Sequence, residues 1–456
     1  MRWDPVITAR RKPVLHVIAV LVLASGGCAT HAQRLVPVRQ AMYRGDLARA
    51  ERLLDQQGQW WRRGDRDIRL LDSAIVHLAD GRPAEAEQAL RVVRDRFDHL
   101  EQASLADASL AMLTDDQNRA YAGEDYERVL IRAFLALANL MQDGADAEAY
   151  CLQMVDKQAQ IIQAAAEPDG TNPKAGYQQV ALAPYLRAAL REQTHRDYDE
   201  VAQYREMVVS WSPDFPSGPE DLARARYGRH SQPGHGVVYV FGLVGRGPYK
   251  EAVEEVPSTA ALFIANAALT VTGHRTLPPI VAPVKVPRVV TAPNIVAGLG
   301  VSVNGSPSGI TSTITDIGQM AVAQYEAEFP QVVARAVVRR AMKEAAVYAA
   351  KRSVGARNGS WEAAAIELAG LVWQFSENAD TRCWGLLPDR IQVLRVELPA
   401  GEHQIGLRPL DRYHHPIGPQ VSHPITVVDG RNTYVLASFP GPQLVGRILS
   451  SPTCAR

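Results

Sequence analysis

The chain has 456 residues, 46% apolar and 21% charged, with 49 basic and 49 acidic side chains. That length predicts two or three domains at about 150 residues each, and the composition is that of a globular protein. The balanced charge gives no electrostatic footing for nucleic acid, which is excluded as a partner class, and no apolar run beyond Gly27 is long enough to span a bilayer.

The chain opens with Arg2, Arg10, Arg11 and Lys12 against a single acid, Asp4. An uncharged stretch, Pro13–Gly27, comes next and ends in Ser25, Gly26 and Gly27 before Cys28. Basic, apolar and small-residue zones in that order predict a signal peptide over 1–27. A cysteine directly after small residues resembles the bacterial lipobox, in which the thiol is alkylated by diacylglycerol. Cys28 is therefore the expected lipidation site, with 28–34 as a tether. The position three before the cysteine, Leu in the usual lipobox, is Ser25 here, and Leu23 lies further out. The alternative is an ordinary secretory signal cut after Ala29 or Ala32. Ala29 in place of Asp points to the outer membrane by resemblance to the sorting rule of diderm bacteria.

Residues 35–230 read as a helical repeat domain. Gly45–Leu54 is echoed by Gly81–Leu90, 36 positions on, and more weakly by Gly144–Gln153 and Arg196–Ala202. A glycine turn leading into a helix with small residues four apart suggests tetratricopeptide-like helical hairpins; an unrepeated bundle is the alternative. Within this region Gly123–Leu140 predicts a core helix, with Tyr126, Leu130, Ala133, Leu137 and Leu140 on one stripe. Glu124, Asp125 and Glu127 read as capping charges at its positive end rather than as a catalytic cluster.

Prolines and glycines from Pro213 onward mark a boundary, and 231–380 reads as a mixed α/β domain. Val237–Val244 is strand-like. The prolines between Pro257 and Pro293 argue against a long helix and for irregular extended chain. Asn304-Gly305 predicts a tight turn. Glu326–Arg352 and Trp361–Phe375 predict two helices. On the first, Arg335, Arg339 and Lys343 form a basic stripe that could meet a membrane surface, although a solvated helix face explains it more simply. Residues 381–456 read as a small C-terminal β module. Ile391–Leu398 and His403–Leu407 would pair as a hairpin about Pro399–Gly401, with a second turn at Asp429-Gly430. The fold class expected is α+β: an N-terminal α-helical hairpin array, then a mixed α/β region ending in a small antiparallel sheet or sandwich.

Three stretches, Gly123–Val129, Asp380–Val393 and Leu398–Gly401, together with the N-terminal signal, resemble an uncharacterised family of bacterial lipoproteins. That resemblance implies tetratricopeptide-like helices in front, a mixed α/β region behind and a place in the cell envelope. It supplies no catalytic residues.

No constellation points to chemistry. Gly242–Gly247 comes after a strand but lacks the ending of a phosphate loop. Gly305–Gly309 has Pro307 where a nucleophile elbow needs serine. His414-His415 and the pair His230, His235 lack acids at metal spacing. Of the four cysteines, Cys151 reads as a small buried residue, and Cys383 and Cys454 could pair in an oxidising compartment. No catalytic, metal or cofactor residues are expected. The expectation is a lipid-anchored envelope scaffold that binds a partner protein, facing the periplasm. The alternatives are a periplasmic hydrolase acting on cell-wall material and a structural subunit of a surface assembly.

Overall fold

The computed structural model describes residues 30–58, 65–106, 120–167, 169–271, 283–353 and 379–452. The signal peptide, Cys28, Ala29, Cys454 and the helix expected at Trp361–Phe375 lie outside them. The described residues form an α+β fold with eleven helices and eleven strands.

Nine helices come first: α1 (His31–Tyr43), α2 (Leu47–Gly58), α3 (Arg66–Ala79), α4 (Pro83–Ala106), α5 (Asp125–Leu140), α6 (Ala147–Gln163), α7 (Leu182–Glu192), α8 (Tyr198–Trp211) and α9 (Gly218–Tyr227). A reciprocal cap starts α1: Thr30 Oγ1 accepts from the Gln33 N–H, and Gln33 Oε1 accepts from the Thr30 N–H. Gly45, Gly81 and Gly144, which open the echoed segments, sit at positive φ in the turns α1–α2, α3–α4 and α5–α6. At the α7–α8 turn His195 and Asp197 take that conformation instead. The described residues therefore form consecutive helix–turn–helix pairs.

The strands come after the helices: β1 (His235–Val244), β2 (Tyr249–Glu255), β3 (Val284–Val290), β4 (Gly298–Val303), β5 (Ser306–Ile310), β6 (Ser312–Asp316), β7 (Arg390–Pro399), β8 (Gly401–Leu410), β9 (Val421–Val427), β10 (Asn432–Phe439) and β11 (Val445–Ser450). They make a five-stranded sheet in the order β11-β10-β1-β7-β6, a four-stranded sheet in the order β5-β4-β8-β9, and the ribbon β2-β3. β1 pairs parallel with β10 and antiparallel with β7. Both faces of β1 are covered. Val237, Tyr239, Phe241 and Leu243 join the helical core, while Val238, Val240 and Val244 meet Leu299, Val301, Ile405 and Ile425 of the four-stranded sheet. Burial on both sides explains why the strand reads as a continuous apolar run rather than an alternation. Since β1 lies between β7 and β10, the division expected at 380/381 falls between strands of a single sheet.

Three expectations need correction. The proline-rich stretch contains a helix, α10 (Thr259–Val271), which fits in the proline-free gap between Pro257 and Pro278. The helix predicted at Glu326 begins earlier: α11 runs over Ile317–Ser353 directly off β6, with Asp316 Oδ1 accepting from the Gln319 N–H. Ile391–Leu398 and His403–Leu407 do not pair. β7 belongs to the five-stranded sheet and β8 to the four-stranded one, so Pro399–Gly401 is a corner between sheets. Asp429-Gly430, between β9 and β10, is a second such corner, and the two meet at Gly234, whose N–H donates to Asp429 Oδ1 and whose carbonyl accepts from Ala400. The Asn304-Gly305 turn forms as expected, with both residues at positive φ between β4 and β5.

The helices and the five-stranded sheet are joined through a buried ion network. Arg205 on α8 is fully enclosed, donates to Glu192 (3.0 Å), Asp221 (3.4 Å) and Tyr239 of β1 (3.5 Å), and lies over the Tyr185 ring. Burial alone would raise the Glu192 carboxyl, but Arg205 and Arg224 overcome it and hold the group down at about 2. Arg205→Ala leaves two buried carboxylates short of a partner. It should cost about 3–5 kcal/mol in urea or guanidinium unfolding, and a loss well under 1 kcal/mol would contradict this account.

Candidate functional site

The turn before α5 is built around Gly123, at φ +76°, where a Cβ would stand 2.4 Å from the Phe97 ring. The three acids just after it each take a different partner. Glu127 is fully buried. Its Oε2 accepts from the Tyr121 hydroxyl (2.6 Å) and the Glu124 N–H (3.2 Å), and its Oε1 accepts from the Trp384 N–H (2.6 Å). Glu124 pairs with Lys250 of β2, and Asp125 pairs with Lys174. Lys174 also holds Glu328 of α11 at 2.8 Å. The acids are thus more than the capping charges their position suggested: Glu127 caps the helix, and all three tie it to distant parts of the chain.

Glu127 is one half of a clamp. On α3, the fully buried Asp72 accepts from the Leu386 N–H at 2.9 Å, while Arg39 of α1 donates to the Gly385 carbonyl at 3.1 Å. The segment 383–386 is thereby threaded among α1, α3 and α5. Trp384 is sealed against Phe134, with ring centroids 5.3 Å apart. A Cβ on Gly385 would come within 2.0 Å of Leu35. Arg382 anchors the approach, donating to Asp380 at 2.7 Å and to Asp65 at 3.2 Å. Burial pushes the Asp72 carboxyl up to about 8, and burial with the nearby Glu124 charge pushes Glu127 up to about 7. The motifs Gly123–Val129 and Asp380–Val393, far apart in sequence, therefore meet in space.

Beside the clamp opens a cleft of about 820 Å³. Its walls are the ends of α4 and α6, residues 120–125, Arg128, Lys174, Lys250 and one face of α11. Such a volume lies in the range of ligand sites. Basic and acidic side chains line it in equal number, and most are matched with one another: Arg128 with Glu101, Lys174 with Asp125 and Glu328, Lys250 with Glu124, Arg382 with Asp380. The Glu328 carboxyl is raised by burial and by Asp125, with Lys174 opposing. Neither Glu127 nor Asp72 lines the cleft.

No family model, curated protein or solved structure matches this chain. Function then rests on where the singled-out residues sit. Arg335 and Arg339 turn into the cleft rather than onto an open face. The Gly242–Gly247 run is the end of β1 and the turn after it, whose amides are already used, Gly245 N–H by Phe439, Arg246 N–H by Asn294 and Gly247 N–H by Leu387. Gly305–Gly309 is the β4–β5 hairpin. His230 is buried and bonded to Asn432 at 2.7 Å, and burial lowers its pKa. His414 lies in a loop at positive φ, and His415 approaches Asp411 at 3.6 Å on the surface. Among the described residues no group of three or more His, Cys, Asp or Glu side chains could hold a metal ion, and no helix is long and apolar enough to cross a membrane. Cys151 and Cys383 are free and buried, and burial raises both thiols to about 12. Sequence reasoning missed Asp72, Lys174 and Lys250, since a lone acid or lysine in an ordinary helix or strand carries no pattern.

The clamp can be tested by sterics and by pH. Gly385→Ala drives a methyl into Leu35 and should cost about 1–3 kcal/mol of stability in denaturant unfolding. Asp72 rises from 3.8 to about 8 and Glu127 from 4.5 to about 7 on folding. The folded chain therefore binds more protons than the unfolded chain across that window, and these two groups make stability fall as pH rises through it. Asp72→Asn keeps the acceptor for Leu386 and should flatten the fall towards pH 8. An unchanged slope in unfolding measured from pH 5 to pH 8 would remove Asp72 as its source.

Proposed function

We propose that the chain is a lipid-anchored cell-envelope protein that binds a partner protein and catalyses no reaction, with the cleft beside α11 as its contact site. One observation carries the non-catalytic part. Of the two fully buried carboxyls pushed to about 7 and 8, Glu127 accepts from the Trp384 N–H and Asp72 from the Leu386 N–H, and both stand outside the cleft. A general acid or base needs a free path to substrate, which neither has. Most charges that do line the cleft already neutralise one another, as expected of a recognition surface rather than a reaction centre. A tetratricopeptide-like arrangement of the helical pairs would suit this role, because stacked pairs make an extended surface.

The anchor is read from the first residues: a signal peptide over 1–27, removed before Cys28, and a thioether-linked lipid on that thiol. Two or three acyl chains suffice, because each buried methylene contributes about 0.8 kcal/mol. Ala29 favours the outer membrane, facing the periplasm.

One feature favours a second reading, a periplasmic hydrolase acting on cell-wall material: the raised Glu328 carboxyl faces the cleft. Turnover of cell-wall fragments that Glu328→Gln abolishes would establish it over the scaffold.

Cys28→Ser should block palmitate labelling and leave the protein soluble or unprocessed; undiminished membrane retention without label would refute the anchor. Crosslinking in intact envelopes and subsequent pull-down should recover a defined protein. Recovery of none from photocrosslinkers placed around the cleft would count against the scaffold.

A further inference from the structure

We propose that the cleft receives an acidic segment of a protein partner, with Arg335 as the receptor for its carboxylate. This deepens the partner-binding reading and rests on it. Gln331, Arg335 and Arg339 lie four residues apart along α11, and all three line the cleft. Arg335 is half-buried. Unlike Arg128, Lys174, Lys250 and Arg382, it has no hydrogen-bond or ion-pair partner among the described residues. A guanidinium held partly out of water without an anion is an unfilled demand, and its planar fork fits a carboxylate in two-point contact.

The rest of the lining narrows the class of anion. With acidic and basic side chains in equal number, the cleft has no positive field to concentrate a polyanion. A phosphate dianion or an anionic membrane would also meet the carboxylates of Glu328 and Asp125. A single carboxylate carried on a neutral chain meets one unmatched arginine instead. Leu100, Ile161 and Val332 offer apolar wall for the neighbouring aliphatic side chains of such a segment.

The test uses the detergent-solubilised full chain and a blocked pentapeptide, N-acetyl-Leu-Ala-Glu-Ala-Leu-amide, beside its Gln counterpart, with binding measured by calorimetry. A charge-assisted contact predicts that the Glu peptide binds about tenfold more tightly than the Gln peptide. That preference should vanish in Arg335→Gln, survive in part in Arg335→Lys, and be unchanged in Arg412→Gln, an exposed residue outside the cleft. Thermal unfolding of each variant checks that the fold persists. Equal binding of the two peptides, or a preference that survives Arg335→Gln, overturns the proposal. So does tighter binding of inorganic phosphate or of phosphatidylglycerol vesicles than of the Glu peptide. Crosslinking in envelopes separates the levels. A partner captured equally by the parent and Arg335→Gln leaves the scaffold standing and removes the acidic-segment claim, whereas no captured partner removes both.

Discussion

Two carboxyl groups with no access to water, Glu127 and Asp72, hold the backbone of Trp384 and Leu386 inside the helical region. A buried N–H left without an acceptor costs free energy on the scale of a hydrogen bond, so an extended segment can run between helices only if they supply acceptors. The helices provide a third contact as well, from Arg39 to the Gly385 carbonyl. The five-stranded sheet depends on this placement. Two residues after Pro388 the segment becomes β7, which pairs with β1, and β1 pairs with β10. The clamp thus fixes where that sheet meets the helices.

The sheet carries the arrangement outward. Tyr239 of β1 stacks on Tyr434 of β10 and meets Tyr185 of α7 edge-on, so aromatic packing continues the core from helices to strands. On its other face the same strand meets the four-stranded sheet, and the chain passes between the sheets at two corners joined through Gly234. The cleft lies beside the clamp, where α11 faces the ends of α4 and α6. Lys174 and Lys250 bridge its walls through Glu328 and Glu124, and Lys174 also pairs with Asp125, so the acids at the start of α5 help to shape the cleft.

Local pattern made part of this legible. Periodicity gave α5 and the strand at Val237–Val244, and glycine echoes gave the corners at Gly45, Gly81 and Gly144, because those signals live within a few residues. The false hairpin at Pro399–Gly401 shows the limit. Two strands joined by a tight turn read alike whether they pair or diverge into different sheets, since partner choice is made by β1 and β4 far away in sequence. Helix α10 was hidden by the prolines on either side of it. In the cleft, Arg335 and Arg339 were visible as a stripe, but the direction they face is set by the packing of α11 against α10 and β3. Lys174 and Lys250 were invisible for the same reason: their partners are chosen by tertiary structure.

The bond from Trp384 to Glu127 spans 257 residues and that from Leu386 to Asp72 spans 314. During synthesis the N-terminal helices therefore emerge long before the segment that fills them. Until the last fifth of the chain is made they hold an empty tryptophan slot and two carboxyls aimed at a backbone that does not yet exist. Such long-range closure slows folding and keeps an incomplete core exposed meanwhile. Were the chain exported through a membrane in extended form, as proposed, that delay would be an advantage: the helical region could not lock before the tail that completes it had crossed.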